Sequence, residues 1–212
     1  MACSLLNVIP TGNVPYLDFL APGVIAQSGM FVAIFYGIQI VWERDAGVLT
    51  KLLVTPTPRS ALIIGKAFAA GIRSLIQVVV VLLLSAALGV ALTENPLLIL
   101  GAFAAVVMGS AFFACLSMTI AGVVLKRDRL IGIGQMITMP LFLASSALYP
   151  VHIMPGWLQV LSRVNPLSYE VDALRGLLIH AHADLPLDFA VLALSVVVGI
   201  TASSALVGRL AR

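Results

Sequence analysis

LLILGAFAAVVMGSAFFACLSMTIAGVVL, residues 97–125, contains no charged side chain. Roughly 20 apolar residues suffice to cross a hydrocarbon core about 30 Å thick, and this run exceeds that length. It lacks the strict alternation of a barrel strand. Backbone groups in lipid must be bonded within the segment, so the run reads as a transmembrane helix. Glu94-Asn95-Pro96 closes it on one side and Lys126-Arg127-Asp128-Arg129 on the other. Working outward, four more apolar runs have spanning length, at about 20–41, 74–92, 130–148 and 187–207. The expected fold class is therefore all-α: a polytopic transmembrane helix bundle with five spans, forming one domain over residues 1–212.

Composition agrees. Of 212 residues, 61% are hydrophobic and 10% charged, against about 45–50% and 25% in ordinary soluble domains. A water-facing surface, a disordered chain and a disulfide scaffold are all excluded by so little charge and only two cysteines. Residues 1–19 show no basic start followed by an apolar core, so no cleavable signal is expected. Placing residues 42–73 in the cytoplasm leaves only Arg163 and Arg175, of 12 basic residues, on the far side. The expected topology is a multi-pass protein of the plasma membrane, N-terminus outside and C-terminus cytoplasmic. The net charge of +3 is then a topology signal rather than a nucleic-acid footprint, and no nucleic-acid partner is expected.

Two connecting segments are longer than turns. The cytoplasmic one, WERDAGVLTKLLVTPTPRSALIIGKAFAAGIR (42–73), opens with alternating charges and breaks at Pro56 and Pro58. Its last part carries Lys66 and Arg73 on one helical face, suiting either a helix at the membrane surface with snorkelling basic side chains or the start of a long second span. The external segment, 149–186, contains two short amphipathic pieces. Pro155-Gly156 starts the first, Asn165-Pro166 stops it, and Ser168 can cap the second, whose apolar stripe is Leu167, Val171, Leu174 and Leu178. Neither piece is long enough to cross, which suggests a hairpin in the outer leaflet anchored by Tyr149, Trp157 and Tyr169.

Reactive constellations are scarce. Gly65-Lys66 continues into Ala67 without the Ser or Thr that holds magnesium in a phosphate-binding loop, so ATP hydrolysis by this chain is not expected. His180 and His182 are spaced to opposite faces of a helix, and no metal site or catalytic residue is assigned. Apart from Asp188 at the very edge of the last run, the strongest polar groups within the five runs are Gln39, Gln77 and Gln135. Ion-coupled transport usually needs a buried carboxylate or histidine relay, so any energy is expected from elsewhere. Small residues such as Gly101, Ala105, Gly109, Ala111 and Ala114 suit close helix packing within the bundle or a seam with a second subunit.

Three motifs together resemble the permease subunit of type-2 ABC exporters, the family of drug, lipid and polysaccharide export permeases. Glu43-Arg44-Asp45-Ala46-Gly47-Val48-Leu49, running into Leu52-Leu53-Val54-Thr55-Pro56 and Arg59, is similar to the family's cytoplasmic loop and its LLxTPxxR segment, and Gly65-Lys66 to the element beyond it. Met154-Pro155-Gly156-Trp157-Leu158-Gln159, Asn165-Pro166-Leu167-Ser168-Tyr169 and Val171-Asp172-Ala173-Leu174-Arg175-Gly176 resemble its MPxWLQ, NPLTY and VDALRG run.

The resemblance implies a cytoplasmic coupling helix in which Glu43, Asp45, Gly47, Leu52, Thr55 and Arg59 meet an ATP-binding cassette ATPase subunit. It implies an external re-entrant hairpin involving Pro155, Trp157, Asn165, Pro166, Tyr169, Asp172 and Arg175, with a local ion pair in water between Arg175 and its acidic neighbours Asp172 and Glu170. It further implies a second permease subunit (homo- or heterodimer), contact with membrane lipid, and no cofactor of the chain's own, ATP being bound by the partner. Family members carry six spans behind a cytoplasmic N-terminus. YLDFLAPG (16–23) fits the end of the loop before the second of these, so the first span is expected to be absent. The expected function is ATP-driven export of an amphipathic drug or lipid-like substrate. The competing expectation is a truncated, non-transporting membrane scaffold or regulatory partner of an ATPase.

Overall fold

The computed structural model describes residues 16–48, 51, 59–89, 93, 95–124, 127–147, 151, 154–181 and 183–210. Seven helices follow one another among the described residues: α1 (Tyr16–Asp45), α2 (Arg59–Ala87), α3 (Pro96–Val124), α4 (Arg127–Leu143), α5 (Gly156–Val164), α6 (Pro166–Ile179) and α7 (Leu185–Leu210). There is no strand among the described residues. The all-α bundle read from the sequence is what forms.

The run that opened the sequence becomes α3 and takes the centre, packing against α1, α2, α6 and α7. Lipid tails are as apolar as leucine, so helices here associate through close packing rather than through the hydrophobic effect. The small residues serve that end: Ala102, Ala105, Gly109, Ala111 and Ala114 are all buried inside this single chain. At the α1–α3 crossing a Cβ on Gly37 would stand 2.7 Å from the Ala114 carbonyl oxygen, so only glycine allows this approach. The Ser117 hydroxyl then donates to Ile34 O at 2.9 Å, fastening the two helices where they touch.

Among the described residues four helices, α1, α2, α3 and α7, are long and apolar enough to cross a membrane. The fourth expected span, 130–148, is shorter than anticipated. Helix α4 has 17 residues, contains Pro140 and ends at Leu143. Its chain then turns through 144–147, where Ser145 Oγ donates to Phe142 O at 2.6 Å and accepts from Ala147 N at 3.3 Å. Helix α2 decides between the two readings of Lys66 and Arg73, because it runs unbroken from Arg59 to Ala87 and is the start of a long span. Helices α5 and α6, of 9 and 14 residues, extend only about 14 and 21 Å at 1.5 Å per residue and cannot cross.

Candidate functional site

Polar side chains gather at the two ends of the bundle. At the first end lie the close of α1 and the opening of α2. Glu43 sits in the last turns of α1, and its carboxylate meets Lys66 Nζ at 2.6 Å. Asp45 pairs instead with its neighbour Arg44 at 3.0 Å. Gly47 has φ +72° and its N–H donates to Arg44 O at 2.9 Å, a left-handed stop that suits glycine at the end of a helix. Tyr36 lies beneath two cations: Lys66 Nζ is 5.8 Å and Arg73 Cζ 4.5 Å from its ring centre. A groove of about 340 Å³ opens here between α1 and α2, with Tyr36, Glu43, Leu62, Gly65 and Lys66 in its walls. Of the residues expected to couple to an ATPase, Glu43, Asp45 and Gly47 are thus brought to one end, and Arg59 begins α2. Leu52 and Thr55 lie outside the described residues.

The second end is built by the hairpin. Asn165, not Ser168, caps α6: its Oδ1 accepts from Leu167 N at 3.1 Å, and Pro166 takes the first helical position. Proline has no N–H to satisfy and its φ already suits the helix, so the cap falls one residue before it. Asn165 Nδ2 also donates to Leu141 O at 2.6 Å, tying the hairpin to α4. Ser168 is used elsewhere, its Oγ lying 3.0 Å from Ser162 Oγ. Pro155 precedes α5, where Gln159 Nε2 donates to Met154 O at 2.8 Å. Tyr169 Oη donates to Arg163 O at 2.7 Å, whereas Trp157 is exposed. Tyr149 falls outside the described residues.

Arg175 is the hub of this end. It is only 7% exposed, and Nη2 donates to Ser146 O at 2.7 Å and Ala147 O at 3.3 Å. Its Nη1 stands 3.5 Å from Asp172 Oδ1, and its guanidinium lies 3.7 Å from the centre of the Phe19 ring. One side chain thereby clamps α6 to α1 and to the turn after α4. Ser146 Oγ completes the ring by donating to Asp172 Oδ1 at 2.9 Å. Burial lowers the Arg175 pKa to about 10 against the opposing pull of Asp172. Burial also raises Asp172, with the Ser146 hydrogen bond and the Arg175 charge acting the other way. The ion pair expected in water is therefore buried on the arginine side.

Glu170 takes no part in that pair. It is wholly buried, neither carboxylate oxygen has a hydrogen-bond partner, and it packs so closely over Gly109 of α3 that any Cβ there would collide with it. Burial alone pushes its carboxyl well above the usual range. A carboxylate is therefore buried outside the expected spans, where the sequence reading had Glu170 sharing an ion pair in water with Arg175. A signal existed: Glu170 is three residues after Leu167 and four before Leu174, so it lies on the apolar stripe of α6. Among the described residues no group of three His, Cys, Asp or Glu could hold a metal ion.

The arrangement has an ion-paired end, a closely packed middle and a hydrogen-bonded opposite end. The chain matches the ABC-2 type transporter family over residues 4–179. It is 30% identical over 169 residues to the ycf38 protein of Cyanophora paradoxa, named as a transport permease, which covers 78% of this chain and 57% of that protein. It is 27% identical over 201 residues to Nodulation protein J of Rhizobium leguminosarum bv. trifolii, covering 93% of this chain and 76% of the relative. Similarity to YbhR of Escherichia coli, named as a multidrug ABC transporter permease, is 31% over 166 residues, or 76% and 43% of the two chains. The chain thus spans little more than half the length of the ycf38 relatives it matches.

Proposed function

Since the chain belongs to the ABC-2 type transporter family, we propose that it is the membrane-crossing permease portion of an ATP-driven exporter. In this reading it moves an amphipathic drug or lipid-like substrate outward across the plasma membrane. A separate ATP-binding cassette subunit supplies the hydrolysis and a second permease subunit completes the path. The Glu43 end faces the cytoplasm, and the α5–α6 hairpin re-enters the outer leaflet and closes the external end.

The observation that carries the reading is the Glu43–Lys66 bridge at 2.6 Å. It joins the end of α1 to a helix that runs unbroken through the bundle, so force applied near residues 43–59 passes directly into a span. ATP binding can shift an equilibrium only through contacts that differ between states, and an ATPase touching this end would alter such contacts.

The test is co-purification with an ATPase and stimulation of its hydrolysis. Reversing Glu43 and Asp45 to lysine should weaken both, and unchanged pairing would remove the coupling assignment. The double exchange E43K/K66E separates two causes. Recovery of stimulation assigns the effect to the internal bridge, and persistent loss assigns it to direct contact between Glu43 and the ATPase.

A further inference from the structure

The sequence reading begins the second span at Ser74 and leaves Arg73 at the end of the connecting segment, on a surface helix or at the start of a long span. In the structure Arg73 lies within α2, Arg59–Ala87. Every window of about 20 residues that fits inside this helix includes Arg73, so its Cα is at hydrocarbon depth wherever the bilayer sits along the helix. Lys66, two turns nearer the start of the helix on the same face, falls outside only the two windows that begin after it. Arg73 is exposed, and among the described residues it forms no ion pair and no hydrogen bond. Its one partner is the Tyr36 ring, 4.5 Å from Cζ. Glu43, at the same end of α1, is already taken by Lys66 at 2.6 Å. A cationic side chain at this depth is costly unless an anion meets it, and residues of this kind mark ligand pathways.

We propose that Arg73, stacked on Tyr36 beside the neutralised Lys66–Glu43 pair, binds the acidic headgroup (phosphate or carboxylate) of a membrane amphipath. Guanidinium presents a planar fork matched to either oxyanion, and the tyrosine ring holds that plane in place. A groove of about 340 Å³ walled by Tyr36, Glu43, Gly65 and Lys66 adjoins the same ring, with Arg73 outside its walls. No side chain at Gly65 obstructs it, since nothing lies within 4 Å of where a Cβ would stand. The amphipath's chain has a track on the same face of α2: Ile76, Val80 and Leu84 are 69%, 44% and 58% exposed and continue from Arg73 toward the other end of the helix. Head and tail are thus served by one helical stripe. That the occupant is exported cargo rests on the permease reading; that the site takes an acidic amphipath does not.

The chain is reconstituted in nanodiscs of equal phosphatidylcholine and phosphatidylglycerol, and the lipid retained after detergent extraction is measured by native mass spectrometry. A basic residue near anionic lipid favours it by roughly fivefold. Wild type should retain phosphatidylglycerol about fivefold over phosphatidylcholine, R73Q should fall to near parity, and R163Q should match wild type. K66Q leaves Glu43 unpaired beside Arg73 and should also lower the preference, which decides the matter if R73Q does not fold. An unchanged preference in R73Q, or in K66Q where that variant decides, overturns the site. So does abolition of the wild-type preference by inorganic phosphate, which would make the ligand a free anion. No ATPase enters this measurement, so failure to find one bears on the permease reading alone. Where an ATPase does co-purify, phosphatidylglycerol stimulating wild type but not R73Q marks an acidic amphipath as cargo. Stimulation equal in both shows that it does not run through Arg73, whose occupant is then a resident lipid rather than cargo.

Discussion

Replacing Arg175 with alanine should loosen the hairpin end of the molecule by an amount the geometry lets one bound. The side chain is 7% exposed and makes two carbonyl hydrogen bonds, at 2.7 and 3.3 Å, an ion pair at 3.5 Å and a stack on Phe19 at 3.7 Å. A hydrogen bond to a charged group contributes about 1.5–3 kcal/mol. These contacts share one side chain and do not add, so the loss expected on breaking a buried pair, about 3–5 kcal/mol, is the better bound. Asp172 is 42% exposed, so the ionic share is screened and the carbonyls Ser146 O and Ala147 O dominate. For chains of this size 1 kcal/mol moves the melting temperature by about 2–4 °C. Arg175→Ala should therefore melt roughly 6–20 °C below wild type in detergent. Arg175→Lys keeps the charge but loses the fork and the flat face, and should fall between the two. An alanine variant within 2 °C of wild type, or a lysine variant equal to it, would show that Arg175 is not the clamp described.

Two more outcomes concern the same helix. Because burial raises the Glu170 carboxyl pKa in the folded protein, the fold binds its proton more tightly than an open chain does, and stability falls as pH rises from about 4.3 toward the raised value. Glu170→Gln should thus melt higher than wild type at pH 8 and lose that advantage toward pH 4; a difference that is flat with pH refutes burial of an unpaired carboxyl. Asn165→Ala removes both the α6 cap and the bond to Leu141 O, about 2 kcal/mol together. Asn165→Ser keeps a cap and should lose about half as much in the same melt, and equal losses would contradict the cap.

How far the sequence could be read depended on what its charges were doing. Fold class was legible because a stretch such as residues 97–125 has only one stable form in lipid. The helix boundary within 154–176 was legible too, since Asn165-Pro166 combines a capping side chain with a residue suited to the first helical position. Charged residues misled where they were taken to mark water. Lys66 is matched by Glu43 and Arg73 by a ring, so neither ends α2. Glu170 was assigned to an ion pair in water on the external hairpin because its helix is too short to cross, although the stripe that buries it was in plain view. The close of α4 depends on Ser145 turning back onto Phe142 O and on Arg175 arriving from 29 positions away, and only the second of these needed the fold to be known.

The unbroken run of α2 has a mechanical side. At 1.5 Å per residue Arg59–Ala87 is a rod about 43 Å long. Its tightest seat is at Gly71, where a Cβ would stand 2.8 Å from Val107 Cγ1. Taken as a fulcrum, that seat leaves arms of about 18 Å toward Arg59 and 24 Å toward Ala87. A tilt of about 5° would swing the two ends in opposite directions by roughly 1.6 and 2.1 Å on those arms. A push at one end thus emerges at the other slightly enlarged and reversed, with no helix having to bend.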